Sequence, residues 1–144
     1  MKKLVGAMLL AITAMACTQP VDYKKERDDV MKFHDVVMGD HSTIVNYQMK
    51  LDTLQQNMAA LKTKHPEIDT LKEKETITAL LKDLTTAEDR MNDWMHKFEP
   101  DITGKSNGEA IQYFQKEKEK IVAVDSLYKK EIKTSAAYFS KFPK

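Results

Sequence analysis

The stretch Phe33–Ile44, FHDVVMGDHSTI, places His34, Met38 and His41 at i, i+4 and i+7. On an α-helix these positions share one face. Imidazole and thioether donors together suit a soft ion such as Cu(I). A second stretch, MNDWMHKF at Met91–Phe98, adds Met91, Met95 and the one tryptophan of the chain, Trp94. A His and a Met facing each other between helices would also suit a b-type haem. A plainer reading uses the same residues: methionines fill an irregular core around Trp94, and the histidines are half-buried and hydrogen-bonded, His41 to Glu88. No cluster of M-x-x-M or H-x-x-M type decides between these readings. His41 and Glu88 also have the form of a base with its orienting carboxylate. No nucleophile or glycine-rich loop accompanies them, so no catalytic function is expected.

Helices must position these residues. From about Asp22 to Thr63 the apolar stripe Val30, Val37, Ile44, Leu51 and Met58 recurs every seven residues. Beside it runs a polar line, His34, His41, Gln48 and Gln55, so one line of an a/d seam is unusually polar. That line has a further reading, as a groove facing a partner protein in a larger assembly. KHPEID then stops the helix: His65 precedes a proline and is pushed out of the α region, and Pro66 suits the first position of the next helix. A second helix is expected from about Glu67 to Phe98, with Leu71, Ile77, Leu80, Leu81, Leu84, Ala87, Met91, Trp94, Met95 and Phe98 as its stripe. EPDITGKSNGE is a loop. Ser106 and Glu109 form a capping box opening a third helix, with Ile111, Phe114, Ile121, Val124, Tyr128, Ile132 and Phe139 on its stripe. No strand alternation is present. The expected fold is all-α: an antiparallel three-helix bundle with coiled-coil-like packing and helices near 22–63, 67–98 and 107–140. Gly39, followed by a helix-capping type of residue in Asp40, offers a kink in the first helix. The alternative there is an unbroken helix whose glycine lets Trp94 or Met91 cross closely.

The short turn at Pro66 makes the first two helices antiparallel neighbours whose facing residue numbers sum to about 130. His34 then faces Met95, Met38 faces Met91, and His41 faces Glu88. Four of the six methionines beyond residue 16, and three of the four histidines, gather at one end.

The N-terminus says where such a protein works. MKKLVGAMLLAITAMAC has two lysines, an apolar run and small residues before Cys17, the layout of a secretory signal peptide. The run is too short to span a membrane. Cys17 is the only cysteine among 144 residues, which excludes an internal disulfide. Its place after Ala14-Met15-Ala16 resembles a lipobox with alanine where leucine is usual. Cys17 is therefore expected to carry two or three acyl chains, enough for stable anchoring. Ordinary cleavage after Ala16, leaving a free thiol, is the alternative. Three segments follow: signal peptide 1–16, lipid-anchored tether 17–21 and helical domain 22–144. Beyond the signal, 21 basic residues stand against 22 acidic ones, and this balance gives no electrostatic case for nucleic acid.

HDVVM at His34–Met38 and MNDWMHKF at Met91–Phe98 resemble small Bacteroidetes lipoproteins of unknown function, some labelled "viral A-type inclusion protein". The family pattern is H-D-x-V-M-P and M-x-x-W-M. His34, Asp35, Val37, Met38, Met91, Trp94 and Met95 match it, and Gly39 stands where the family often has proline. The resemblance implies lipidation and an all-helical fold, and no reaction or ligand. The expectation is a lipid-anchored envelope protein, a non-enzymatic binding or structural module held to the membrane through Cys17. Thr18, in place of an aspartate after the cysteine, favours the outer membrane over the inner. The rival expectation is a Cu(I)- or haem-binding lipoprotein that uses His34, Met38, His41, Met91 and Met95, with Glu88 behind them. An envelope protein partner is a third.

Overall fold

The computed structural model of the chain describes residues 22–142. The signal segment and Cys17 lie outside them. The protein is all-helical, with no strand among the described residues: α1 is Tyr23–Gln56, α2 Met58–Lys64, α3 Thr70–Lys97 and α4 Asn107–Phe139.

Four helices stand where three were expected, and the extra boundary is at Asn57. Its backbone leaves the helical region (φ −106°, ψ 31°). The Asn57 side-chain amide donates to the Thr53 carbonyl at 2.8 Å, the same carbonyl its own backbone N–H uses. Asparagine offers the backbone this local competitor, which is why it is a poor helix-interior residue. No break in the helix occurs at Gly39. α1 is continuous through it, and a Cβ there would meet nothing within 4 Å. Neither Trp94 nor Met91 therefore needs the missing side chain.

The second boundary also moves. Pro66 sits in a turn, and α3 begins at Thr70 behind the N-cap Asp69, whose carboxylate accepts from the Leu71 and Lys72 backbone N–H groups. An aspartate N-cap satisfies two of the donors a helix start leaves open. His65 lies outside the α region as expected (φ −128°, ψ 77°). Lys62 closes the turn by donating to the Pro66 and Ile68 carbonyls, both at 2.7 Å. The capping box of Ser106 and Glu109 forms as read from the sequence, and its hydrogen bonds hold the Glu109 carboxyl below its ordinary pKa. Gly104 supplies the one positive φ (85°) in the preceding loop, a conformation that costs glycine nothing.

One core runs the length of the helices. Val30, Val37, Ile44 and Leu51 of α1 are fully buried against Ile77, Leu84 and Met91 of α3 and Phe114, Ile121 and Tyr128 of α4. Each such aliphatic side chain contributes about 1.5–3 kcal/mol of transfer free energy. The ends are fixed by specific pairs. Between α1 and α4 these are Tyr23 N–H to Asn107 Oδ1 at 3.2 Å, Lys118 to Asp29 at 2.8 Å, and the Tyr47–Phe139 ring stack at 5.4 Å. Between α3 and α4 they are Phe98 against Tyr113 and Phe114 at one end, and Tyr138 donating to Glu73 at 2.9 Å at the other.

Candidate functional site

The α1/α3 seam meets the expected register. His41 Nε2 lies 3.9 Å from Glu88 Oε1, and the His34 ring is 6.0 Å from that of Trp94. At 3.9 Å the His41–Glu88 pair is too long for the expected hydrogen bond. His41 Nδ1 instead lies 3.4 Å from the Tyr128 hydroxyl, and Glu88 accepts from Gln48 at 3.2 Å. Burial, followed by the negative Glu88, pushes the Tyr128 hydroxyl up to about 12. Gln55 donates to Thr78 at 3.0 Å. The polar line of α1 is thus half-buried and occupied by α3 and α4 rather than open as a groove.

The sulfur atoms divide. Met91 is core, but Met38 is 39% exposed and Met95 38%. The plainer reading had all of them filling the interior; two of them, with Met31, lie at the surface on the α1 and α3 helices. His34 keeps Nδ1 on Asp35 at 3.0 Å. Among the described residues no three His, Cys, Asp or Glu side chains converge to hold a metal. Any ion here would rely on thioethers beside imidazole.

Sequence reasoning missed a second place, which Trp94 also lines. A cleft of about 600 Å³ opens between α3 and α4. Arg90, Asp93, Trp94 and Lys97 form the α3 wall; Glu117, Lys120, Ala123, Val124 and Leu127 form the α4 wall. Helical spacing dictates both: i, i+4 and i+7 on α3 place Arg90, Trp94 and Lys97 in one row, and i, i+3, i+7 and i+10 do the same for Glu117, Lys120, Val124 and Leu127. The size falls within the 300–1,000 Å³ or so of small-molecule sites, as does a mainly apolar lining with a few polar groups.

The polar groups of the cleft are unequal. Glu117 is only 4% exposed and accepts from Lys120 at 2.6 Å. Lys97 pairs with Asp93 at 3.3 Å on the outer rim. Trp94 is 6% exposed, stacks on Phe98 at 4.7 Å between ring centres, and leaves its Nε1–H with no acceptor among the described residues. A buried donor left in this condition costs about 1–3 kcal/mol. Native proteins keep few such groups; Asp125 Oδ1 and Ser135 Oγ, away from the cleft, share the condition. The α4 signal nearest to it is Glu117, a carboxylate seven residues before Val124 on a buried line; both line the cleft.

No described helix is long and apolar enough to cross a membrane. Comparison with known protein families, with curated proteins and with solved structures finds no match to the chain.

Proposed function

We propose that the protein is a lipid-anchored, non-enzymatic binding module of the bacterial cell envelope, belonging with the small lipoproteins its two His/Met/Trp motifs resemble. Its architecture is an antiparallel three-arm bundle with coiled-coil-like packing, in which α1 and α2 together make the first arm. The anchor is acylated Cys17, and the short tether 17–21 keeps the helices close to the bilayer, on the outer membrane. The observation that carries the binding role is the α3/α4 cleft: an apolar trough beside a buried indole N–H that lacks an acceptor.

The anchor is tested by Cys17→Ser. The wild-type chain should sediment with membranes and resist high salt, and the serine variant should appear in the soluble periplasm. A serine variant that stays in the membrane fraction at high salt contradicts the proposal.

A second reading is supported by one feature, the surface position of Met38 and Met95 near His34. Large apolar side chains held at the surface lose the burial that normally accounts for methionine in a helix seam. On this reading His34, Met38 and Met95 bind Cu(I), with Met91 and His41 beside them and Glu88 orienting His41. Haem is a weaker fit to the same place, because the core there is filled by Met91 and Trp94.

A further inference from the structure

We infer that Met31, His34, Met38 and Met95 form one surface site for Cu(I), with Asp35 orienting the imidazole. The inference rests on the Cu(I) reading and deepens it. Met31 enters as a third thioether and Asp35 as the group behind the histidine, while His41 and Met91 take no part.

His34 is the centre of the site. Its Nδ1 lies 3.0 Å from Asp35 Oδ1. An ionised carboxylate can only accept, so Nδ1 holds the proton and the lone pair on Nε2 is left for a ligand. Nε2 takes no hydrogen bond among the described residues. It is not sealed either: the buried polar atoms without a partner there are Trp94 Nε1, Asp125 Oδ1 and Ser135 Oγ. A carboxylate behind an imidazole whose second nitrogen is free is the arrangement that metal-binding histidines use. His41 lacks it, with Nδ1 3.4 Å from the Tyr128 hydroxyl and Nε2 turned to Glu88.

Met31 and Met38 flank His34 at i−3 and i+4 on the same face of α1. The pairs His34–Trp94 and His41–Glu88 fix the antiparallel register of α1 and α3, and this register brings Met95 level with the span between Met31 and Met38. All three methionines are reachable from solvent, Met31 at 37% exposure much like Met38 and Met95, whereas Met91 at 1% is sealed. Neutral thioethers around an imidazole match a soft, singly charged ion. Zinc(II) draws instead on thiolate, imidazole and carboxylate, and no three His, Cys, Asp or Glu side chains meet among the described residues.

The test uses the full chain carrying Cys17→Ser, which removes the competing thiol. Cu(I) is titrated under reducing conditions against a chromophoric Cu(I) chelator. The chain should bind Cu(I) tightly, and about tenfold excess zinc(II) should not displace it. Met31→Leu and Asp35→Ala should each lower the Cu(I) affinity about tenfold or more while the apo melting temperature changes little. The ring-nitrogen NMR spectrum of His34 should show the Nδ1–H tautomer, and Asp35→Ala should lose that preference, which a packing role for Asp35 would not produce. Met49→Leu changes an exposed methionine eleven residues beyond Met38 on α1 and should leave the affinity unchanged. Unchanged affinity in Met31→Leu or Asp35→Ala, or an equal loss in Met49→Leu, overturns this ligand set; if Met38→Leu still weakens binding, the Cu(I) reading stands without it. No tight Cu(I) binding by the Cys17→Ser chain, or displacement by zinc(II), overturns both.

Discussion

Gly39→Ala isolates the shape of α1. In the middle of a continuous helix, glycine is about 1 kcal/mol worse than alanine, because its unfolded backbone has more freedom to lose and it has no side chain to shield the helix. Whether alanine realises that gain depends on space and on φ. An added Cβ meets nothing within 4 Å, and Gly39 does not have positive φ. Gly39→Ala should therefore stabilise by about 0.5–1 kcal/mol. Over the roughly 120 described residues the unfolding entropy near the midpoint is about 0.25 kcal/mol/K, which converts the gain to a rise of about 2–4 °C in melting temperature. Thermal unfolding followed at 222 nm measures it, with urea denaturation as the check that the slope with denaturant is unchanged. A fall in melting temperature would mean that the glycine is needed, through a kink or a close crossing, and would refute the open space found beside it in a continuous α1.

Three other outcomes follow from the same structure. The Tyr128 hydroxyl is raised from 10.0 to about 12, so the unfolded chain loses this proton first as pH rises; stability is fully present below pH 10 and declines by up to about 3 kcal/mol towards pH 12. Tyr138, raised by burial and by its hydrogen bond to Glu73, acts in the same direction, so Tyr128→Phe should flatten only part of the alkaline loss in urea titrations between pH 9 and 12; an unchanged slope would refute the Tyr128 share. Met38→Leu should move the apo melting temperature little, since such swaps cost under about 1.5 kcal/mol. If the Cu(I) reading holds, the same variant loses about tenfold or more in Cu(I) affinity under reducing conditions, whereas equal affinities, or no tight binding by the wild type, remove that reading. Asn57→Ala should raise helicity by joining α1 to α2, because it deletes the side-chain donor that competes for the Thr53 carbonyl; circular dichroism showing a loss of helix would contradict that cause.

The parts of the fold that were legible in the sequence are those set by periodicity and local caps. The α1 line Val30, Val37, Ile44 and Leu51 is buried as its spacing demands, and the Ser106–Glu109 box opens α4 where its pattern says. Leu71 failed because Asp69 starts the helix: the residue falls in the first turn, ahead of the packed seam, and is exposed. The α4 stripe was read too far to one side. Ile111, Ile132 and Phe139 are only partly buried, whereas Glu117, Asp125 and Glu131 lie inside. A hydrophobic pattern scores carboxylates as surface, but each of these is held by a lysine, Lys120, Lys129 or Lys130, which reaches in from solvent. The cleft shared that fate, since two of its α4 residues, Glu117 and Lys120, form one of those pairs. The His/Met group was visible by residue type and spacing. The surface positions of Met38 and Met95 were not, because they depend on the rotation of α1 against α3 and not on either helix alone.

The most direct test of an anchored module that holds a ligand is one native mass spectrum of the wild-type protein taken from its own envelope. The account predicts a chain beginning at Cys17 with a glyceryl group and two or three acyl chains. A second, non-covalent mass of a few hundred daltons should be present and released on gentle activation. An unmodified Cys17 thiol with no such adduct on the wild-type chain would contradict it.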